Sequence, residues 1–387
     1  MYPERPQSVA DLVPLPQGNG PNLKAFDFQG PQQIDFLDHL GSGTHSIVFR
    51  VKIKGRIYAL KLFRFPSDEC WVSPADENSW DNLNALSTFY PYSEPFSCEC
   101  RAFGRLQEAG HEELAVECFG YILLDDAHEK AMMDQFAHLP AHKLNFTYDG
   151  YHDEDEDEYY KDPNLQDMRS RFRCSDGSLP PLRGIVKEFG ESKDLDHKGA
   201  KRLLRDIKYV QQLGITDLDL AHRQIINGKL SDFSTAITIP HFASNPEWNP
   251  HLTQRGKSKI EFELFATCYQ DFRNFDTMIH KWNEDHKDKQ VNVRALPEGF
   301  PPERRRLRNI PARQQLNTHV DPRNYRRYIP YTDRRGRTVQ RKGALGRKPS
   351  PWYIECSAAA ARRLQESREI NAGLHWQYQN GHIAPLN

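Results

Sequence analysis

The sequence predicts an α+β fold in two lobes, a five-stranded sheet lobe over residues 33–190 and a reduced helical lobe over 191–290, with long insertions. Three observations carry that expectation. Gly41-Ser42-Gly43-Thr44-His45-Ser46 leads into Ile47-Val48-Phe49-Arg50-Val51-Lys52-Ile53, which alternates with the period of a strand, so the glycines join strands and do not open a helix. Phe96, Cys100, Phe103 and Leu106 recur at helical steps. Ile225-Ile226 and Lys229-Leu230 flank the turn pair Asn227-Gly228, a hairpin that separates Asp219 from Asp232.

Along the chain, residues 1–32 are rich in Pro, Gly and Gln and read as a flexible lead, with none of the apolar run of a signal peptide. The strand from Ile47 turns at Lys54-Gly55-Arg56 and returns as Ile57 to Phe63. Ala59 and Lys61 share one face of the returning strand, and Val48 belongs to the same roof. Residues 66–95 form a polar insertion before the helix that starts at Phe96, carries Glu99 and stops at Gly110. Ala115 to Leu124 gives another strand. A second insertion, 125–181, contains Asp153 to Glu158, six like charges in a row that are expected to be disordered. The buried strand ending at Glu188-Phe189-Gly190 closes the sheet.

In the second part, Leu203, Ile207, Val210 and Leu213 mark a helix ended by Gly214. Glu261 to Trp282 carries an aromatic stripe at helical spacing, expected to be core, and Asp271 is a candidate buried structural carboxylate. Residues 291–348 are Arg- and Pro-rich without apolar period and read as an unfolded basic arm. Ser357 is placed to cap a last helix over 358–369.

Composition narrows the function classes. Mean hydropathy is −0.77 and no stretch approaches the ~20 apolar residues of a membrane helix, so no membrane partner is expected. Seven cysteines with no Cys-x-x-Cys pair argue against a disulfide framework or a zinc module and for buried free thiols. The net charge of −1 conceals an asymmetry: residues 291–387 hold 19 basic against 7 acidic side chains, and the remainder 33 against 46. A basic arm of that kind calls for an acidic partner, a nucleic acid or the acidic run of its own chain.

The order of glycine loop, strand lysine, helix glutamate and two aspartates is that of a protein kinase. Phosphoryl transfer is mostly positioning and charge neutralisation, which explains the residue types. Gly41 and Gly43 would let backbone amides cover phosphates, Val48 and Ala59 leave room for a planar base, and the backbone from Glu188 to Gly190 would meet an adenine edge. Lys61 would reach the phosphates and pair with Glu99. Asp219 takes the catalytic position, while Asp232 and Gln224 take the two metal-ligand positions, so the expected cofactors are ATP and magnesium. Each half alone would also suit a plain hairpin with solvated charges. The catalytic loop departs from the usual one: Asp217 and Leu218 stand where His and Arg are normal, Ala221 where Lys is normal, and Gln224 is one methylene longer than Asn. No Ala-Pro-Glu follows Asp232-Phe233-Ser234.

The segments Phe36 to Phe49, Tyr58 to Phe63, Glu99 to Leu106, Asp232 to Ala236 with Pro240-His241, and Trp352-Tyr353 resemble a divergent protein-kinase-like family of fungi. It is the family named for the Fta-two subunit of the Sim-four kinetochore complex. The resemblance spans roughly residues 33–280 and implies kinetochore protein partners and a nuclear location, with a cytoplasmic one as the alternative. With half the catalytic loop altered, a weak or inactive kinase is expected. The alternatives are an active atypical kinase or small-molecule phosphotransferase, and an interaction scaffold that binds no nucleotide.

Overall fold

A computed structural model describes residues 21–26, 33–66, 71, 90–147, 168–174, 176–239, 241, 254–296, 325–343, 345, 376–379 and 382–385. The acidic run 153–158, Arg304-Arg305-Arg306, Pro240, Trp352-Tyr353 and the helix expected over 358–369 lie outside them.

The fold is mixed α and β around one five-stranded antiparallel sheet. Its strands are β1 (Ile34–Ser42), β2 (Ser46–Ile53), β3 (Arg56–Phe63), β4 (Cys118–Leu124) and β5 (Leu182–Glu188), in the order β1-β2-β3-β5-β4. Between β2 and β3, Lys54 and Gly55 both take positive φ, 49° and 76°, the geometry of a two-residue turn that follows the twist of the strands. The register sets Val48 opposite Lys61, Arg50 opposite Ala59, Lys61 opposite Ile185 and Ala59 opposite Lys187. Cross-strand partners share a face, so Lys61 and Lys187 project to the same side of the sheet.

That side is covered by α1 (Pro95–Ala109). Glu94 caps the helix by accepting from the Ser97 N–H, Pro95 stands where its missing N–H costs nothing, and Gly110 ends it at φ 71°. Beyond the apolar positions at helical steps, the helix is buried nearly all round, Arg101 and Arg105 included. Those two arginines donate to the carbonyls of Thr238 (3.3 Å) and Ile239 (2.5 Å), and Arg105 also pairs with Glu108 at 3.3 Å.

On the opposite face, Ile47, Phe49, Val51, Leu60, Leu62 and Val186 form a second apolar core. Its cover comes from the two insertions: Trp71 and Tyr90 from the first, and from the second α2 (Asp126–Gln135) with Met132, then Phe136, Leu144, Phe146 and Phe172. The insertions are therefore structural where they are described, and their spaced aromatics were the overlooked signal. Residues 21–26, placed in a flexible lead by the sequence, instead run along β4. Phe26 N–H donates to Tyr121 O at 2.8 Å, Tyr121 N–H donates to Lys24 O at 3.1 Å, and Leu23 is buried.

The rest of the chain contributes α3 (His197–Gln212), the short pair β6 (Ile215–Thr216) with β9 (Ile237–Thr238), the hairpin β7 (Ile225–Ile226) with β8 (Lys229–Leu230), and α4 (Gln254–Asp285). Asn227 and Gly228 turn that hairpin at φ 51° and 73°. Leu203, Ile207 and Val210 of α3 pack with Phe272, Phe275 and Ile279 of α4 and with Phe96 and Phe103 of α1 in one core. The basic arm also differs from expectation. Val291, Val293 and Leu296 are buried, and β10 (Tyr328–Thr332) pairs with β11 (Thr338–Lys342), so these parts of it are folded. Two further strands, β12 (Trp376–Gln379) and β13 (His382–Pro385), pair antiparallel. Among the described residues no helix is long and apolar enough to cross a membrane.

Candidate functional site

The chemistry-bearing residues meet where the sheet faces α1 and the β7–β8 hairpin. Lys61 Nζ lies 2.6 Å from Glu99 Oε2 and 2.7 Å from Asp232 Oδ1. The Lys61 and Glu99 side chains are 3% and 0% exposed, which places this pairing in the interior. Burial alone would lower the Lys61 pKa; Asp232 and Glu99 together outweigh it and raise it. Burial would raise the Asp232 carboxyl, yet Lys61 first and Lys187 next hold it far below the usual carboxylate range. Asp232 Oδ1 also accepts the Ser234 N–H at 2.9 Å, which fixes the carboxylate toward Lys61. Phe233 is buried edge-on against Phe103 of α1, centroids 5.1 Å apart, so α1 and the Asp232 segment are packed as one unit.

Two participants were missed by the sequence reading. Lys187 Nζ donates to Glu99 Oε1 at 2.8 Å and to Ser231 O at 2.7 Å, and the residue is 6% exposed. Glu99 thus bridges two lysines. The signal was available: in Ile185-Val186-Lys187 the lysine shares an inward face with Ile185, opposite Ala59. The second is His45 at the tip of the glycine loop. Its Nδ1 lies 3.2 Å from Ser234 Oγ, and burial first, Lys61 second, push its pKa down to about 4 against the pull of Asp232 and Asp219. The imidazole is neutral at pH 7. The loop is tied to the end of β3, since Arg64 N–H donates to His45 O at 2.9 Å and Arg64 Nε–H to Gly43 O at 3.0 Å.

The loop before β7 is held by its own side chains. Gln224 Nε2 donates to Asp219 Oδ2 at 3.0 Å, and Gln224 Oε1 accepts the Ala221 N–H at 2.9 Å. Gln224 therefore braces Asp219, whose side chain faces solvent. Asp217, in the left-handed region at φ 61°, is raised to about 6 by burial and then by the Asp219 charge. Asp271 of α4 is fully buried; it accepts from Leu218 N–H and Gln211 Nε2, both at 2.6 Å, and so pins this loop to α3 and α4 as a structural carboxylate.

At the end of β5, Glu188 accepts from Asn227 Nδ2 at 3.0 Å and from Glu117 N–H at 3.3 Å. A Cβ on Gly190 would run into the Asn227 amide, so the hairpin tip seats on this glycine. Val48 and Ala59 remain half-buried on the face that carries Lys61. Gly41 and Gly43 carry no such internal constraint: a Cβ on Gly41 would meet nothing within 4 Å, and on Gly43 only Ser46 O at 4.0 Å. Among the described residues no group of three His, Cys, Asp or Glu could hold a metal ion.

The structure thus gathers Lys61, Glu99 and Asp232 into one charge cluster and places Asp219 beside Gln224. A search of curated proteins returns no match. The family model of the kinetochore Sim4 complex subunit FTA2 matches residues 12–237, a span that holds the glycine loop, both site lysines, Glu99, Asp219 and Asp232. Because that match covers more than half of the chain, the chain belongs to this family.

Proposed function

We propose that the chain is a two-lobed protein-kinase-like protein whose site accepts a nucleotide and transfers phosphate weakly or not at all, and that it serves in kinetochore assembly. The observation that carries this reading is the Lys61 ammonium held between Glu99 and Asp232 beneath a glycine loop. Family membership supports the kinetochore setting, kinetochore protein partners and a nuclear or chromosomal location.

The residues fit ATP in three respects. Gly41 and Gly43 have no packing reason to lack a side chain, which suits close approach of a phosphate to the loop backbone, although the Gly43 N–H is given to Ser46 O at 2.8 Å. Lys61 can leave Asp232 for a phosphate while Glu99 still orients it. The half-buried Val48 and Ala59 suit the face of a base. Magnesium fits less well. Asp232 gives Oδ1 to Lys61 and to the Ser234 N–H, which leaves Oδ2 for a metal, whereas the Gln224 carbonyl oxygen is committed to the Ala221 N–H, so one of the two metal positions is occupied from within as it stands. Bound ATP would supply the transferable phosphoryl group. What this chain contributes is positive charge from Lys61 and an orienting carboxylate at Asp219, itself held by Gln224.

Ala221 cannot supply the positive charge that a lysine at its position gives to the transferring phosphoryl, hence an expected rate far below the ~1–100 s⁻¹ of ordinary kinases. A phosphotransfer assay with labelled ATP tests this. Any residual transfer should fall with Asp219→Ala and rise with Gln224→Asn, because a misplacement of ~1 Å at such a position is worth on the order of 100-fold. Robust turnover by the unmodified chain, lost in Asp219→Ala, would replace this reading with that of an active atypical kinase.

One feature favours the scaffold alternative. Lys61, Lys187, Glu99 and Asp232 neutralise one another, and His45 reaches Ser234 across the site, so the cluster is self-sufficient without a ligand. Nucleotide binding must displace these contacts, which makes moderate affinity the expected outcome.

A further inference from the structure

The ribbon formed by β10 and β11 is not used by the nucleotide site and is not explained by it. Both of its ends are fixed. At the base, Tyr325 is buried and its carbonyl pairs with His111 Nε2 at 2.8 Å, Arg327 N–H donates to Ala109 O at 2.7 Å, and Gly343 N–H donates to Arg327 O at 2.8 Å. The Arg326 and Arg327 guanidinium groups pair with Glu108 and Glu113, the latter at 2.5 Å. Among the described residues, Arg326 and Arg327 thus meet acidic side chains at the end of α1 and the turn after it. At the tip, the Asp333 carboxylate accepts the N–H groups of Arg335 and Arg337 at 2.9 Å and pairs with the Arg337 side chain at 2.9 Å. Gly336 supplies the φ of 75° that this turn needs.

Above its base, the ribbon stands open among the described residues. Arg334, Arg335, Arg341 and Lys342 are exposed and meet no acidic partner among the described residues. Asp333 is the one acidic residue from 325 to 343, and its charge is spent on the turn. Tyr328 and Tyr331 are 62% and 45% exposed, on opposite faces by strand alternation.

We propose that this ribbon is a docking surface for double-stranded DNA. The charge is complementary to phosphate, and arginine predominates over lysine, as suits bidentate phosphate and guanine contacts. The shape fits as well. Two strands about 4.8 Å apart with their side chains enter the ~12 Å major groove of B-form DNA, whereas the major groove of A-form RNA is too narrow. Fixed ends remove part of the ordering cost that a disordered basic arm would incur on binding. An acidic peptide would share the charge term, but the fit of a two-stranded ribbon to the width of the major groove is particular to the duplex.

The test uses the full chain, a labelled duplex of about 20 base pairs and fluorescence anisotropy from about 50 to 200 mM salt. Binding should weaken with salt. Arg334→Ala/Arg335→Ala/Arg341→Ala should flatten the slope of log K against log salt by about 0.9 for each phosphate no longer neutralised, near 3 in all. The corresponding triple Arg→Lys variant should keep the slope, and Lys61→Met should bind duplex as the unmodified chain does, which separates this surface from the nucleotide reading. An alanine triple variant with unchanged affinity and slope would overturn the proposal. So would tighter binding of a poly-glutamate peptide than of duplex at equal charge, which would assign the ribbon to an acidic protein.

Discussion

Replacing Glu99 by Gln should destabilise the chain more than replacing either lysine by Met, because one buried carboxylate serves both. In Glu99→Gln the shape is kept and the amide oxygen still accepts from one lysine, but its NH2 group faces the other, and the one carboxylate left in the cluster is that of Asp232, whose side chain is 27% exposed. Removing one partner of a buried ion pair costs about 3–5 kcal/mol, since the remaining charge is left uncompensated. In Lys61→Met, Glu99 keeps Lys187 at 2.8 Å, and Asp232 is open enough for water to replace its missing partner. The loss then approaches that of a charged hydrogen bond, about 2 kcal/mol. Lys187→Met is equivalent by the same reasoning. The double variant Lys61→Met/Lys187→Met should exceed the sum of the singles, as Glu99 becomes an orphan carboxylate. Urea midpoints at constant m measure all four. A Glu99→Gln midpoint equal to that of Lys61→Met, or strict additivity in the cycle, would refute the bridging role.

Asp217 and His45 should give opposing pH dependences. The Asp217 pKa is raised from 3.8 to about 6, so the folded state holds an extra proton and stability falls as pH rises through that window. The His45 pKa is lowered from 6.5 to about 4, so its contribution is present above 6.5 and is lost as pH falls toward 4. Each is worth up to about 3 kcal/mol and they largely cancel; Asp217→Asn should unmask the His45 limb and, since Asn tolerates positive φ, raise stability at pH 7, measured by melting temperature against pH. Gly104→Ala should expel residues 21–26 from α1, because the new Cβ would lie 2.6 Å from Asn22 backbone; faster hydrogen exchange at the Phe26 amide would register it, and unchanged exchange would contradict the packing. Asp271→Asn should weaken the contacts to Leu218 N–H and Gln211 and cost about 2 kcal/mol, visible in the urea midpoint.

The strands, α1, α3 and the Asn227-Gly228 hairpin were legible because strand alternation, helical spacing and turn residues all agree there. The meeting of Lys61 with Glu99 followed from their order in the chain. Lys187 was not anticipated because a lysine in a short strand is usually solvated; alternation put it on the face of Ile185, and the register, which sets it opposite Ala59, makes that face the inward one. The brace from Gln224 to Asp219 was hidden for a related reason. By sequence the extra methylene is a defect in metal geometry, whereas in the fold it lets one amide span from the Ala221 N–H to the carboxylate. In the arm, arginine content masked a hairpin whose anchors, Glu108, Glu113 and His111, lie about two hundred residues away in sequence, beyond any local pattern.

The proposed nucleotide site at Lys61 stands or falls on the melting temperature of the full chain titrated with ATP, with and without magnesium, beside Lys61→Met. At 100 times Kd, ATP stabilises by about 3 kcal/mol, several degrees for a chain of this size. Such a rise is expected in the unmodified chain, with or without magnesium, and is missing in Lys61→Met. No rise at millimolar ATP under either condition, or an equal rise in Lys61→Met, would contradict the proposed site.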